Sequence, residues 1–273
     1  MNRRLFSPLL IVGIIAIPGL VSAETPNAAT IVERAISAAE LESSIAEHDM
    51  IRSAIRQEET TSDGTAKSTD MTAIIYGSRL DSIRMELSQG ATIVLDNSKG
   101  WALIRGELDT RAQTPRMAAG TIRQTIFPLM LPYSLRMPGV QLGMVTEGNF
   151  DGTPAWVVEI TFDPNFFIAP SMLTKWSVFI SKKDNVTLGA EFLPAAEFRS
   201  VRDEGIRYRI LKRQNVDGLS LPAQVLLDGI DVNGTETGHV RVTKVESTTA
   251  GPLDLSLFIH PKERERLDAA EID

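Results

Sequence analysis

The chain has 273 residues, 28 lysines and arginines against 35 aspartates and glutamates, a formal charge of −7 and no cysteine. The missing cysteines exclude disulfides, thiolate metal sites and thioether lipidation, so the fold must rest on its apolar core. Cations scattered among a majority of acids exclude the concentrated basic surface that nucleic-acid binding requires.

Arg3 and Arg4 precede an apolar run from Leu9 to Val21 that contains Pro18 and ends in Val21-Ser22-Ala23. The run falls short of the roughly 20 residues a bilayer-spanning helix needs. The pattern predicts a secretory signal peptide over residues 1–23, cleaved after Ala23. Arg3-Arg4-Leu5-Phe6 partly matches a twin-arginine signal, so the export route stays open. Losing two arginines and no acid takes the formal charge from −7 to −9. So acidic a surface resists nonspecific adhesion to anionic lipid, and contact with lipid is expected inside a pocket.

From Asn27 to about Glu47 the period is helical, with Ile31, Val32, Ala35, Ile36 and Ala39 on one stripe. Thr30 and Glu33 have the spacing of a capping box. From Met50 the period changes to two. Turn signals at Ser62-Asp63-Gly64, Asn97 to Gly100, Asp151-Gly152, Lys182 to Asn185, Asp217-Gly218 and Asn233-Gly234 predict successive hairpins. Ile83, Met85 and Leu87 alternate with Arg84 and Glu86, as do Ile206, Tyr208 and Ile210 with Arg207 and Arg209, which predicts strands with one apolar face. The strand from Leu219 to Leu227 and the one from Trp156 to Phe162 are apolar on both faces and need cover on two sides.

Two segments interrupt this rhythm. Gly120 to Met137 predicts a short helix over Thr121 to Phe127, after which Pro128 and Pro132 forbid a regular strand. Asp163 to Pro170 carries Phe166 and Phe167. Both inserts are too apolar to lie in water. Residues 262–273 form a charged tail expected to fray as a helix. With no internal repeat and no low-complexity linker, residues 24–273 read as one domain.

His48, His239 and His260 are dispersed, with no metal-binding spacing, and the chain has no nucleophile elbow, phosphate loop or dinucleotide fingerprint. Asp228, Asp231 and Asn233 read as an Asp-rich turn rather than a calcium loop. No catalytic residue, metal or cofactor is assigned. The distinctive content is apolar: three tryptophans on predicted strands, phenylalanines in the inserts, and Met117, Met130, Met137, Met144 and Met172 in one half of the chain.

The order of the exported helix, Tyr76 to Glu86 (YGSRLDSIRME), Thr92 to Trp101 (TIVLDNSKGW), the Phe-Pro-Leu-Met-Leu-Pro segment and Val216 to Pro222 (VDGLSLP) resembles the LolA/LolB-like superfamily of periplasmic outer-membrane lipoprotein-sorting proteins. The resemblance runs from about Asn27 to Glu246. It implies a mainly β (α+β) fold in which a curved antiparallel sheet forms an incomplete barrel, with an N-terminal helix and a helix and loop lid over an apolar cavity for acyl chains. The expectation is an exported, periplasmic, non-enzymatic monomer that binds lipid or lipoprotein acyl chains and meets envelope protein donors or acceptors. Trp101, Phe127, Leu129, Met130, Leu131, Trp156, Val158, Phe162, Phe166, Phe167 and Trp176 are the candidate cavity or lid residues. Two other readings stay open: an envelope regulatory or scaffolding module that binds a protein partner, and a hydrolase with a dispersed site.

Overall fold

The computed structural model describes residues 26–77, 80–168, 172, 175–193, 205–231 and 233–270. The predicted signal peptide and its cleavage site lie outside them. Helix α1 (Ala28–Ala39) buries Ile31, Val32, Ala35 and Ile36 along one stripe. Its cap is Asn27 rather than Thr30: Asn27 has extended dihedrals, and its Oδ1 accepts the Thr30 N–H at 2.8 Å. Glu33 is ion-paired with Arg136 instead of closing a capping box. The helix also ends earlier than the periodicity predicts. The N–H groups of Leu41 and Glu42 leave the helical ladder for the Gly218 carbonyl oxygen, at 2.8 and 3.1 Å.

Among the described residues thirteen strands form one antiparallel sheet. They are β1 (Met50–Thr60), β2 (Ala66–Tyr76), β3 (Ile83–Leu87), β4 (Ala91–Asp96), β5 (Lys99–Ile104), β6 (Glu107–Leu108), β7 (Val140–Phe150), β8 (Thr153–Phe162), β9 (Trp176–Ser181), β10 (Thr187–Phe192), β11 (Gly205–Val216), β12 (Leu219–Ile230) and β13 (Glu236–Gly251). Two meanders, β1 to β6 and β7 to β13, are joined where β1 pairs with β13. The sheet curls without closing, which leaves β6 and β7 as its two edges and makes an incomplete barrel.

The hairpins follow from local chemistry. Asn97 with Ser98, Asp151 with Gly152 and Asp217 with Gly218 all have positive φ, and each pair joins strands whose flanking residues face each other. Two consecutive residues at positive φ make the turn whose twist matches that of the strands, and Asn, Asp and Gly tolerate it best. The Asp231 carboxylate accepts the N–H groups of Asn233 and Thr235 at 2.8 and 2.9 Å, which closes the turn before β13.

Helix α2 (Thr114–Ile126) lies on the concave face against β3, β4 and β5, and α1 packs there against β7 and β12. It begins seven residues before the predicted Thr121, because its Gln113 cap makes no side-chain hydrogen bond and Pro115 is the one local start signal. Short 3-10 turns at Pro128–Met130 and Tyr133–Arg136 follow, the first against β12. On the convex face Ile74, Val94 and Trp101 pack with Phe258 of the segment after β13, and α3 (Pro261–Ala270) follows.

Candidate functional site

The concave face carries one continuous apolar cluster that joins α1, α2 and both halves of the sheet. Its densest part is aromatic. Phe127, at the end of α2, lies 5.6 Å from the rings of both Phe162 and Trp176, and Phe166 and Phe167 pack around it. Trp176 stacks between Phe167 and Phe192 at 5.4 and 4.7 Å, and its indole N–H donates to the Met172 carbonyl oxygen at 2.9 Å. Mutual edge and offset contacts of this kind add roughly 0.5–1.5 kcal/mol per pair to the burial term.

The structure thus brings Phe127, Phe162, Phe166, Phe167 and Trp176 together, with Val158 on the same face. Trp156 sits at the rim of that face, half-buried, with Lys182 Nζ 4.2 Å from its ring centre. Leu129, Met130 and Leu131 are buried, at 5, 3 and 0% exposure, and fill the bowl above β12. The space left beneath Leu129 and Met130 is a void of about 20 Å³, bordered also by Ser53, Gln214 and Thr248, which is room for about one water molecule. Trp101 does not join them. It faces the opposite side of the sheet, in contact with His260 and the C-terminal segment.

Open space lies instead on the two flanks of α2. One flank borders an apolar groove of about 520 Å³ lined by Leu87, Ile93, Ala102, Ile104, Met117 and Ala118. Two of these side chains, Ile104 and Met117, are 44 and 45% exposed, although each carries a large apolar surface. Asp109 and Arg111 close the polar end of the groove with a two-pronged ion pair of 2.9 and 2.6 Å. The other flank borders a cleft of about 700 Å³ between α2, the β4–β5 turn and the segment after β8. Arg123 is buried in its wall, where burial pushes the guanidinium below its ordinary pKa against the opposing fields of Asp163 and Asp81.

The sequence reading missed the groove. Ile104 stands one residue before the Arg105-Gly106 turn, and Met117 and Thr121 are one helical turn apart; placing α2 from Pro115 onward would have put Met117 and Thr121 on one face. Among the described residues no group of three or more His, Asp or Glu side chains is arranged to hold a metal ion.

This architecture, an open curved sheet with helices laid in its concavity, is the LolA-like fold. A LolA superfamily protein from Nitrosomonas europaea superposes with a TM-score of 0.59 at 12% identity, covering 87% of this chain and 100% of its own. An outer membrane lipoprotein-sorting protein domain from Vibrio parahaemolyticus gives 0.58 at 12% identity, over 87% of this chain and 99% of that one. A DUF1329 family protein from Desulfovibrio piger gives 0.56 at 10% identity with the same coverage. No sequence model of a family matches the chain, and none of the curated proteins matches it in sequence. The likeness therefore lies in the fold. Among the described residues no helix is long and apolar enough to cross a membrane.

Proposed function

We propose that this protein is an exported, periplasmic carrier that shields the apolar chain of a lipid or lipoprotein in its half-barrel and performs no covalent step. The observation that carries the reading is the groove between α2 and β3 to β5. It is apolar, about 520 Å³ in volume and partly walled by exposed Ile104 and Met117. A volume of that size falls in the range of small-molecule sites, and apolar walls open to solvent gain free energy when a hydrocarbon covers them. Each methylene transferred from water contributes roughly 0.8 kcal/mol before ordering costs.

The LolA-like fold and the signal-peptide pattern over residues 1–23 support the same reading. The aromatic cluster is already packed against itself, so a chain enters beside α2 first, and deeper entry requires α2 and the Pro128–Arg136 segment to move off the sheet. Met117 and Ile104 are exposed, so charges there leave the core intact.

Replacing both, Met117→Glu with Ile104→Glu, is expected to weaken binding of a fluorescent fatty-acid probe at least about tenfold, or roughly 1.4 kcal/mol, with unfolding unchanged. Mass spectrometry of organic extracts of the protein purified from the envelope is expected to find a co-purifying lipid. Unaltered probe affinity in the double variant would remove the groove from the reading.

A further inference from the structure

The cleft on the other flank of α2 differs from the groove in its charge. It is walled by Lys99 at the β4–β5 turn, by Arg116 and Arg123 one above the other on α2, and by Asp163 after β8. Three cations face one acid, in a chain whose formal charge is −7. Asp163 is already engaged, accepting from Gln141 Nε2 at 3.1 Å. Among the described residues none of the three cations has a carboxylate within 4.0 Å.

Arg123 is the telling member. Only 8% of it is exposed, and its guanidinium lies 4.9 Å from the ring centre of Phe166. Arginines with side chains less buried than that do have carboxylate partners: Arg84 has Glu86, Arg207 has Glu191 and Arg209 has Asp228. Arg213 also lacks one, but it spends both Nη groups on the Ser220 and Thr187 carbonyl oxygens. Arg123 uses Nη1 alone, donating to the Asn165 and Phe166 carbonyl oxygens at 3.1 and 3.4 Å. Its Nε and Nη2 donors remain, at the wall of a cleft. Asp163 and Asp81 act on Arg123 only from beyond ion-pair distance, and a fork of free N–H donors there matches the oxygens of a carboxylate or phosphate.

The rest of the lining is apolar, with Pro115, Ala119, Pro138, Pro164 and Phe166 beside the cations. A free inorganic anion has no use for those walls. We propose that the cleft binds the anionic head group, phosphate or carboxylate, of an amphiphile whose chain lies against these apolar walls. The assignment rests on the carrier reading above and adds to it the charge class of the ligand. Arg123 anchors the oxyanion, and Lys99 and Arg116, at the exposed mouth, attract it.

Titration calorimetry with decyl phosphate, decanol and inorganic phosphate tests this on the mature protein. Decyl phosphate is expected to bind about tenfold or more tightly than decanol, and inorganic phosphate more weakly than either. Lys99→Gln with Arg116→Gln, both at exposed positions, is expected to abolish most of that preference while decanol binding stays the same. Arg123→Gln should do so more fully, with thermal unfolding measured alongside to show that it folds. Decanol binding as tightly as decyl phosphate, or a preference that survives the double variant, overturns the head-group assignment and leaves the carrier reading standing. Inorganic phosphate binding as tightly as decyl phosphate also overturns it, in favour of a free-anion site. Failure of both decyl compounds to bind sinks the carrier reading itself.

Discussion

Leu131 and Tyr133 stand two residues apart in the same buried segment and differ in what burial does to them. Leu131 is fully buried in the concave cluster, so Leu131→Ala removes apolar contacts that nothing replaces and is expected to cost about 2–5 kcal/mol. Tyr133 is equally buried, and among the described residues its hydroxyl has no hydrogen-bond partner. Burial, helped by the Glu40 charge, pushes that phenol above its ordinary pKa, so it stays neutral. An unpaired buried hydroxyl costs about 1–3 kcal/mol, and Tyr133→Phe is therefore expected to stabilise the protein, in the direction opposite to Leu131→Ala. Urea unfolding of the two variants checks the pair. A destabilised Tyr133→Phe would show that the hydroxyl meets a partner in solution, a water or a ligand.

Helix α2 is held to the sheet through small residues. A Cβ on Gly100 of β5 would lie 2.1 Å from the Pro115 carbonyl oxygen and 2.8 Å from the Ala119 nitrogen, so helix and strand backbones meet there with no side chain between them. Gly120 is similarly close to Ile168, on the segment after β8. These contacts keep α2 low in the bowl and separate the apolar groove from the cationic cleft. Gly100→Ala must lift the first turns of α2, because the opposing atoms are backbone and cannot rotate away. The expected cost is about 1–3 kcal/mol. Amide hydrogen exchange is the decisive readout, with faster exchange in α2 and unchanged protection in β11 and β12. Uniform loss of protection would mean that α2 and the sheet open as one unit.

The sheet has two covered faces, and cover of the second depends on the C-terminal segment. Ile74, Val94 and Trp101 align across β2, β4 and β5 on the convex side, and Phe258 covers them. Arg84, in the same row, donates to the Leu257 carbonyl oxygen at 3.1 Å and ties the segment down. Phe258→Ala is expected to cost about 3 kcal/mol and to shift the emission of Trp101 to the red, while Trp176, in the concave cluster, is unaffected. An unshifted spectrum in a variant that retains Trp101 and lacks Trp156 and Trp176 would show that the segment is not what shields it.

Features that depend on neighbours along the chain were legible in the amino-acid order alone. Asp151-Gly152 and Asp217-Gly218 are turns because few residues accept positive φ twice in succession, and Ile206, Tyr208 and Ile210 form a buried face because strand side chains alternate. The mainly β, incomplete-barrel class was legible from these signals and the resemblance they carried. Which face of each strand looks into the bowl is instead set by packing between distant elements. Trp101 and Trp176 both stand on strands with apolar neighbours, yet strand order and helix placement put one on the convex side and the other in the aromatic cluster. The same holds for Leu129 to Leu131, which the prolines mark as irregular but which packing against β12 makes core. The groove and the cleft were invisible for the same reason: Ile104 and Met117, or Lys99 and Arg123, become neighbours only when α2 docks on β5, and no periodicity along the chain encodes a contact between separate elements.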